Sequence, residues 1–195
     1  LLTLAGGGQK PRTGKQMREI GIIPNGGLAI KDGRIVAVGK TPDVTKNFKA
    51  ENVINAKGKV VAPGFVDPHT HLVFAGSRED EFQMRVEGAS YMEILGAGGG
   101  ILRAVKETRK ANVEKLVDVC LKTLDIMLEH GTTTVEAKSG YGLTTKDELK
   151  ILQVIKHVDQ LHCVDVVSTF MGAHAIPPEY KGDTNGYVSL IVEDM

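Results

Sequence analysis

Asp67-Pro68-His69-Thr70-His71 follows Val60-Val61-Ala62 and Pro63-Gly64-Phe65-Val66, and Leu72-Val73-Phe74 comes next. The apolar residues ahead of it read as a buried strand. Side chains two apart along a strand share one face. His69 and His71 therefore present two imidazoles to one point, about 6–7 Å apart along the backbone. Two such rings at the end of an apolar strand are costly to desolvate without a partner. They suit a transition metal such as zinc, which takes nitrogen ligands at about 2.0–2.1 Å. Two surface histidines are the bland alternative, because His-x-His alone is a weak signal.

Working outward, residues 1–62 look like short strands and turns. Asp32-Gly33 between Leu28-Ala29-Ile30 and Ile35-Val36-Ala37-Val38 is a hairpin signal. Residues 53–56 and 59–62 suggest two further strands around Lys57-Gly58, and residues 6–19 read as a loop. From residue 63 the rhythm becomes strand, helix, strand. Apolar side chains at 113, 116, 117, 120, 121, 124, 127 and 128 predict a helix over 113–129, capped by Asn112 and stopped by Gly131. A strand is expected at 132–137. Thr145-Lys146-Asp147-Glu148 has the capping-box pattern, opening a helix that turns Leu149, Leu152, Ile155 and Val158 inward. Val164–Phe170 is a third strand. Strands alternating with amphipathic helices imply a parallel sheet. Gly96-Ala97-Gly98-Gly99-Gly100 lacks the ending of a phosphate-binding loop and reads as a flexible loop near the mouth of a site.

The chain has 195 residues, 42% hydrophobic and 25% charged, with 24 basic and 24 acidic side chains. That balance points to a globular protein and away from a nucleic-acid groove or a polybasic membrane patch. Cys120 and Cys163 are too few for a disulfide framework and read as reduced thiols. With no membrane-length apolar run and no signal-peptide pattern, the expected compartment is the cytoplasm.

In parallel α/β folds, sites form at the C-terminal ends of strands. Those ends carry His69 and His71 followed by Arg78, then Tyr141, then His174. Arg78 suits a carboxylate through its planar fork; a solvated charged turn, Arg78-Glu79-Asp80-Glu81, is the alternative. Tyr141, between two glycines, is a turn residue or a ligand contact. His174 is a third metal ligand or a substrate donor, and spacing does not separate the two. Lys138 reads as the partner of a neighbouring carboxylate. His130, His157 and His162, near helix ends, read as structural or exposed.

Pro63–His71 resembles the first-strand signature of the amidohydrolase superfamily. Phe74–Arg78, Tyr91–Ile94 with Gly98–Ile101, Glu136–Leu143 and Gly172–His174 extend the resemblance from about residue 27 to the end. It implies a (β/α)8 barrel, of which about three strands lie in residues 63–195, with a small N-terminal β-sandwich portion over residues 1–62. It implies one zinc or iron ion, with His69 and His71 matching two ligands. Arg78, Tyr141 and His174 match positions that hold 4-imidazolone-5-propanoate, whose ring is opened to N-formimidoyl-L-glutamate; His174 also matches a catalytic donor. A further His, an Asp ligand and an acidic proton shuttle are expected from later strands. Residues 1–195 are thus expected to be an N-terminal half, inactive alone, with apolar surface exposed. The resemblance is compatible with a homodimer. Another cyclic-amide hydrolase or a deaminase is the alternative activity, and a metal-free scaffold the non-catalytic one.

Overall fold

A computed structural model describes residues 1–6, 8 and 10–195. It divides into two compact units, Leu1–Pro63 and Gly64–Met195. In the first, β1 (Gly26–Lys31) and β2 (Arg34–Lys40) pair antiparallel with Lys31 opposite Arg34. The two-residue loop works because Asp32 and Gly33 both take positive φ, 51° and 71°, the backbone of the primed turns that match strand twist. Helix α1 (Thr41–Asn47) follows.

The expected strands at 53–56 and 59–62 do not form. The segment makes a turn, with Lys59 N–H donating to the Ala56 carbonyl at 3.0 Å. Val53, Ile54 and Val60 are 81%, 92% and 75% exposed. A strand needs a neighbour that takes up its backbone groups along its length; among the described residues, over 53–56 and 59–62 one such bond is made, from Leu2 N–H to the Val61 carbonyl at 2.8 Å. One two-stranded sheet is present there, with an isolated bridge between Leu2 and Ile22. The segment read as a loop over 6–19 contains a 3₁₀ turn, Gly14–Arg18; at Gly7 and Gln9 that reading lies outside the described residues.

The second unit carries a parallel sheet in the order β3 (Phe65–Thr70), β4 (Thr132–Lys138), β5 (Asp165–Thr169). Four helices separate β3 from β4: α2 (Glu79–Val86), α3 (Tyr91–Gly96), α4 (Ile101–Lys110) and α5 (Val113–Glu129). Helix α6 (Thr145–Leu161) links β4 to β5, and α7 (Thr184–Asp194) follows. Strand β4 lies between its two neighbours. Its Val135 and Ala137 are fully buried, while Thr134, Glu136 and Lys138 on the other face are partly covered. Onto the buried face pack Leu116, Cys120 and Leu124 of α5 and Ile151, Val154, Ile155 and Val158 of α6. Burial pushes the Cys120 thiol up to about 12, so it sits in this core as an inert apolar group.

Helix α5 has the expected bounds, with the Asn112 side chain accepting from Lys115 N–H at 3.0 Å. Three differences follow from packing. Strand β3 starts at Phe65 and is not buried: it pairs with β4 alone, and Phe65 and Val66 are each 64% exposed. Helix α6 is capped by Thr144, one residue earlier than expected, and turns Leu149 outward at 51% exposure. Ile155 and Val158 are buried as expected and Leu152 packs partly buried against the core, while Ile151 and Val154 are the further buried positions. The glycine run is not a loose loop. Gly99 and Gly100 are buried, and Gly100, at φ 82°, caps α4.

Candidate metal and substrate site

Three strand ends converge. His69 lies in β3 and His71 one residue beyond it; Tyr141 follows β4; His174 closes a 3₁₀ turn, Gly172–His174, after β5. The His71 ring stacks on His174 with centroids 4.4 Å apart and planes 7° from parallel. Tyr141 lies 4.8 Å from His71 and 5.5 Å from His174. His69 meets His71 edge-on at 6.1 Å. The loops are tied together at the same level. Ser139 N–H donates to the Thr169 carbonyl at 2.9 Å, and Met171 N–H donates to Ser139 Oγ at 2.9 Å. Gly140 is required here: at φ 110°, a Cβ would come within 2.8 Å of His174 Cβ and 2.9 Å of the Met171 carbonyl. That close approach brings His174 onto His71.

The protonation states follow from the partners. His174 Nδ1 lies 3.2 Å from the Gly140 carbonyl. A carbonyl only accepts, so Nδ1 carries the hydrogen and Nε2 is the ring's free nitrogen. Burial lowers the pKa of His71, and the electrostatic repulsion a protonated His71 would meet from its neighbours His174, His69 and Lys138 lowers it further. Burial raises that of Tyr141, which keeps the phenol protonated and able to donate. Lys138 pairs with Glu136.

His71 Nδ1 is buried and has no hydrogen-bond partner, an unusual state for a polar atom. A neutral ring with an unclaimed nitrogen beside a second imidazole fits a transition metal. Among the described residues, no three His, Cys, Asp or Glu side chains gather around one point. His69 and His71 are two nitrogen donors where zinc takes four, and His174 stacks on His71. The pH consequence has a definite sign. His71 binds its proton more weakly folded than unfolded, so the unfolded chain holds more protons between the two pKa values. Metal-free stability is expected to be full above 6.5, the ordinary value, and to fall as pH drops through it toward the lowered one. Urea midpoints of wild type and His71→Phe across that range check this; the variant should show the shallower decline.

Arg78 is 41% exposed and is held by Glu81: Nε donates at 2.8 Å and Nη2 lies at 2.7 Å from the same carboxylate oxygen. Hydrogen bonding to Glu81 raises the guanidinium's pKa. A cavity of about 520 Å³ is lined by Arg78, His71, Tyr141, Phe74, Arg103 and Glu107. The structure thus brings Arg78, Tyr141 and His71 to one cavity, with His174 against His71 and Tyr141.

Two carboxylates at the site were not legible as such. Glu81 is 3% exposed, and its other oxygen accepts Gly100 N–H at 2.9 Å. Glu148 is 1% exposed and accepts N–H groups of Gly140, Gly142 and Leu143 at 2.9, 2.8 and 2.7 Å. The one available signal was an acidic residue at a helix start within reach of a glycine-rich turn.

The geometry brings together a histidine in the first strand of a parallel sheet, His69, and one just past its end, His71. Residues 52–100 match the amidohydrolase family. The whole chain is similar to imidazolonepropionases. It is 52% identical to that of Geobacillus kaustophilus, covering 100% of this chain and 47% of the relative. The relatives of Shouchella clausii and Symbiobacterium thermophilum are each 51% identical over 100% of the chain, which covers 44% and 46% of them. The chain spans about half the length of the curated relatives it matches, and the match is to their N-terminal half.

Proposed function

We propose that these residues are the N-terminal part of an enzyme that hydrolytically opens 4-imidazolone-5-propanoate to N-formimidoyl-L-glutamate. In this reading the β3–β4–β5 unit over 63–195 is the start of a (β/α)8 barrel, and residues 1–62 are the start of a small β-sandwich. The observation that carries it is the convergence of Arg78, Tyr141 and His71 on one cavity, with His174 stacked behind. A guanidinium, a phenol and an imidazole there fit a small ring that bears a carboxylate.

His69 and His71 would hold one zinc or iron ion. Such an ion, when bound, lowers the pKa of water toward about 7 and polarises a carbonyl. The chain's own residues do the rest. Arg78 takes the propionate with the guanidinium edge that Glu81 leaves open. Tyr141, kept protonated by burial, donates to a ring heteroatom while its face covers His71. His174 orients the ring through Nε2. To donate to the developing oxyanion it must be the imidazolium, because Nδ1–H is committed to Gly140. The cytoplasm is the compartment this chemistry suits; among the described residues, no helix is long and apolar enough to cross a membrane.

The test is turnover by the complete metal-loaded enzyme of which this chain would be the first part. The expected result is kcat/KM for 4-imidazolone-5-propanoate at least about 100-fold above that for hydantoins or purines, since a site built to pair a polar group rejects analogues that lack it. Equal or greater turnover of the other rings would favour a different amidohydrolase. A protein without metal that loses no activity on His69→Ala would be a scaffold.

A further inference from the structure

Arg78 stands at the N-cap of α2 with its side chain 41% exposed. An arginine so placed ordinarily samples many rotamers. Here it does not: Glu81 binds it along one edge through Nε and Nη2, at 2.8 and 2.7 Å. The carboxylate is in turn immobile. Its side chain is 4% exposed, and its second oxygen takes the Gly100 N–H at the start of α4 at 2.9 Å. Gly99 makes this approach possible, because a Cβ there would lie 3.0 Å from Glu81 Oε1 and 2.8 Å from Ile94 Cγ2. The glycine run is therefore the floor on which the carboxylate rests. The second guanidinium lining the cavity, Arg103, is likewise paired, with Asp80 at 2.5 Å. With each cation already matched by an anion, the cavity selects less by net positive charge than by where the free N–H groups point.

We propose that Glu81 is the positioning residue for carboxylate recognition: it fixes the plane of Arg78 so that the remaining guanidinium edge faces the cavity, and it makes the Gly96–Gly100 turn part of the specificity apparatus. This rests on the reading that Arg78 holds the substrate's propionate. Glu81 touches no reacting atom; its effect belongs to ground-state and transition-state binding equally and appears in KM.

The experiment compares 4-imidazolone-5-propanoate with the corresponding propionamide in the complete enzyme, for wild type, Glu81→Gln, Arg78→Lys and the double variant. Glutamine matches the shape of Glu81 but turns an N–H2 toward one of its donors. The expected result is a loss of about 10- to 100-fold in the preference for the carboxylate over the amide, the range of one charge-assisted hydrogen bond. kcat at saturation should stay within about 2-fold, because uniform binding is what changes. Arg78→Lys should lose the same preference, and the double variant little more. The preference is a ratio, so a partly folded preparation still gives it; if Glu81→Gln yields no soluble enzyme, Glu81→Asp, with its shorter reach, is read the same way. An unchanged ratio in the variant overturns the proposal, as does equal loss of kcat on both substrates. A wild type with no preference for the carboxylate overturns the Arg78 reading, and the proposal with it.

Discussion

Glu148→Ala is expected to destabilise the folded chain by about 3–5 kcal/mol, the cost of stranding several buried donors. The carboxylate is 1% exposed and accepts three backbone N–H groups from a single turn. Alanine removes every acceptor at once and leaves a cavity too. Leu143 sits in that turn at φ 55° and Gly140 at φ 110°, conformations that need outside support. Glutamine keeps one oxygen, enough for Gly142 and Leu143, but sets an N–H2 against Gly140 N–H, so Glu148→Gln should fall between wild type and alanine. Urea unfolding of the three proteins gives the order directly. Because Tyr141 rides on this turn, the variant should also lose the Tyr141–His71 stack, visible as changed ring-proton shifts. A Glu148→Ala midpoint equal to wild type would mean that water serves those N–H groups and that the turn is not held from α6.

His71→Ala in the complete enzyme is expected to lower kcat by about 1000-fold, equivalent to the several kcal/mol that a bound ion supplies to a developing charge. The metal content of the purified protein should fall with it. His71 is the central ring of the site, in contact with His69, Tyr141 and His174, and its buried Nδ1 has no protein partner. If both hold one ion, as proposed, His69→Ala should have a similar effect and the double variant little more, because two ligands of one ion act as a unit. Full metal content in both single variants would place the ion elsewhere.

Much of the fold follows from periodicity. The α5 stripe, the Asn112 cap and the Asp32-Gly33 turn each depend on a few neighbouring residues, and each forms as the pattern dictates. The meeting of His71, Tyr141 and His174 was also legible, since parallel strands deliver their C-terminal ends to one side of a sheet. What stayed hidden depends on partners distant in sequence. Glu81 reads as one more charge in Arg78-Glu79-Asp80-Glu81, and only the approach of Gly100 from 19 residues away makes it a buried acceptor. Glu148 reads as half of a capping box, whereas the turn before α6 takes both of its oxygens. Residues 53–56 and 59–62 are short apolar runs around Lys57-Gly58 that read as strands, yet an apolar run does not supply a neighbouring strand. Leu149 misleads for a related reason: Ile155 and Val158 face inward as the stripe predicts, but at the start of α6 the buried positions are Glu148 and Ile151, and Leu149 turns outward.

In the proposed function this cavity holds a carboxylate-bearing imidazolone ring between Arg78 and a metal on His69 and His71. The most direct measurement is a crystal structure of the complete, metal-loaded enzyme with 4-imidazolone-5-propanoate or a slow analogue bound. The expected result is the propionate on the guanidinium of Arg78, the ring against Tyr141 and His174, and the ion on both histidines. A ligand with its carboxylate away from Arg78, or an ion that leaves His69 and His71 free, would contradict it.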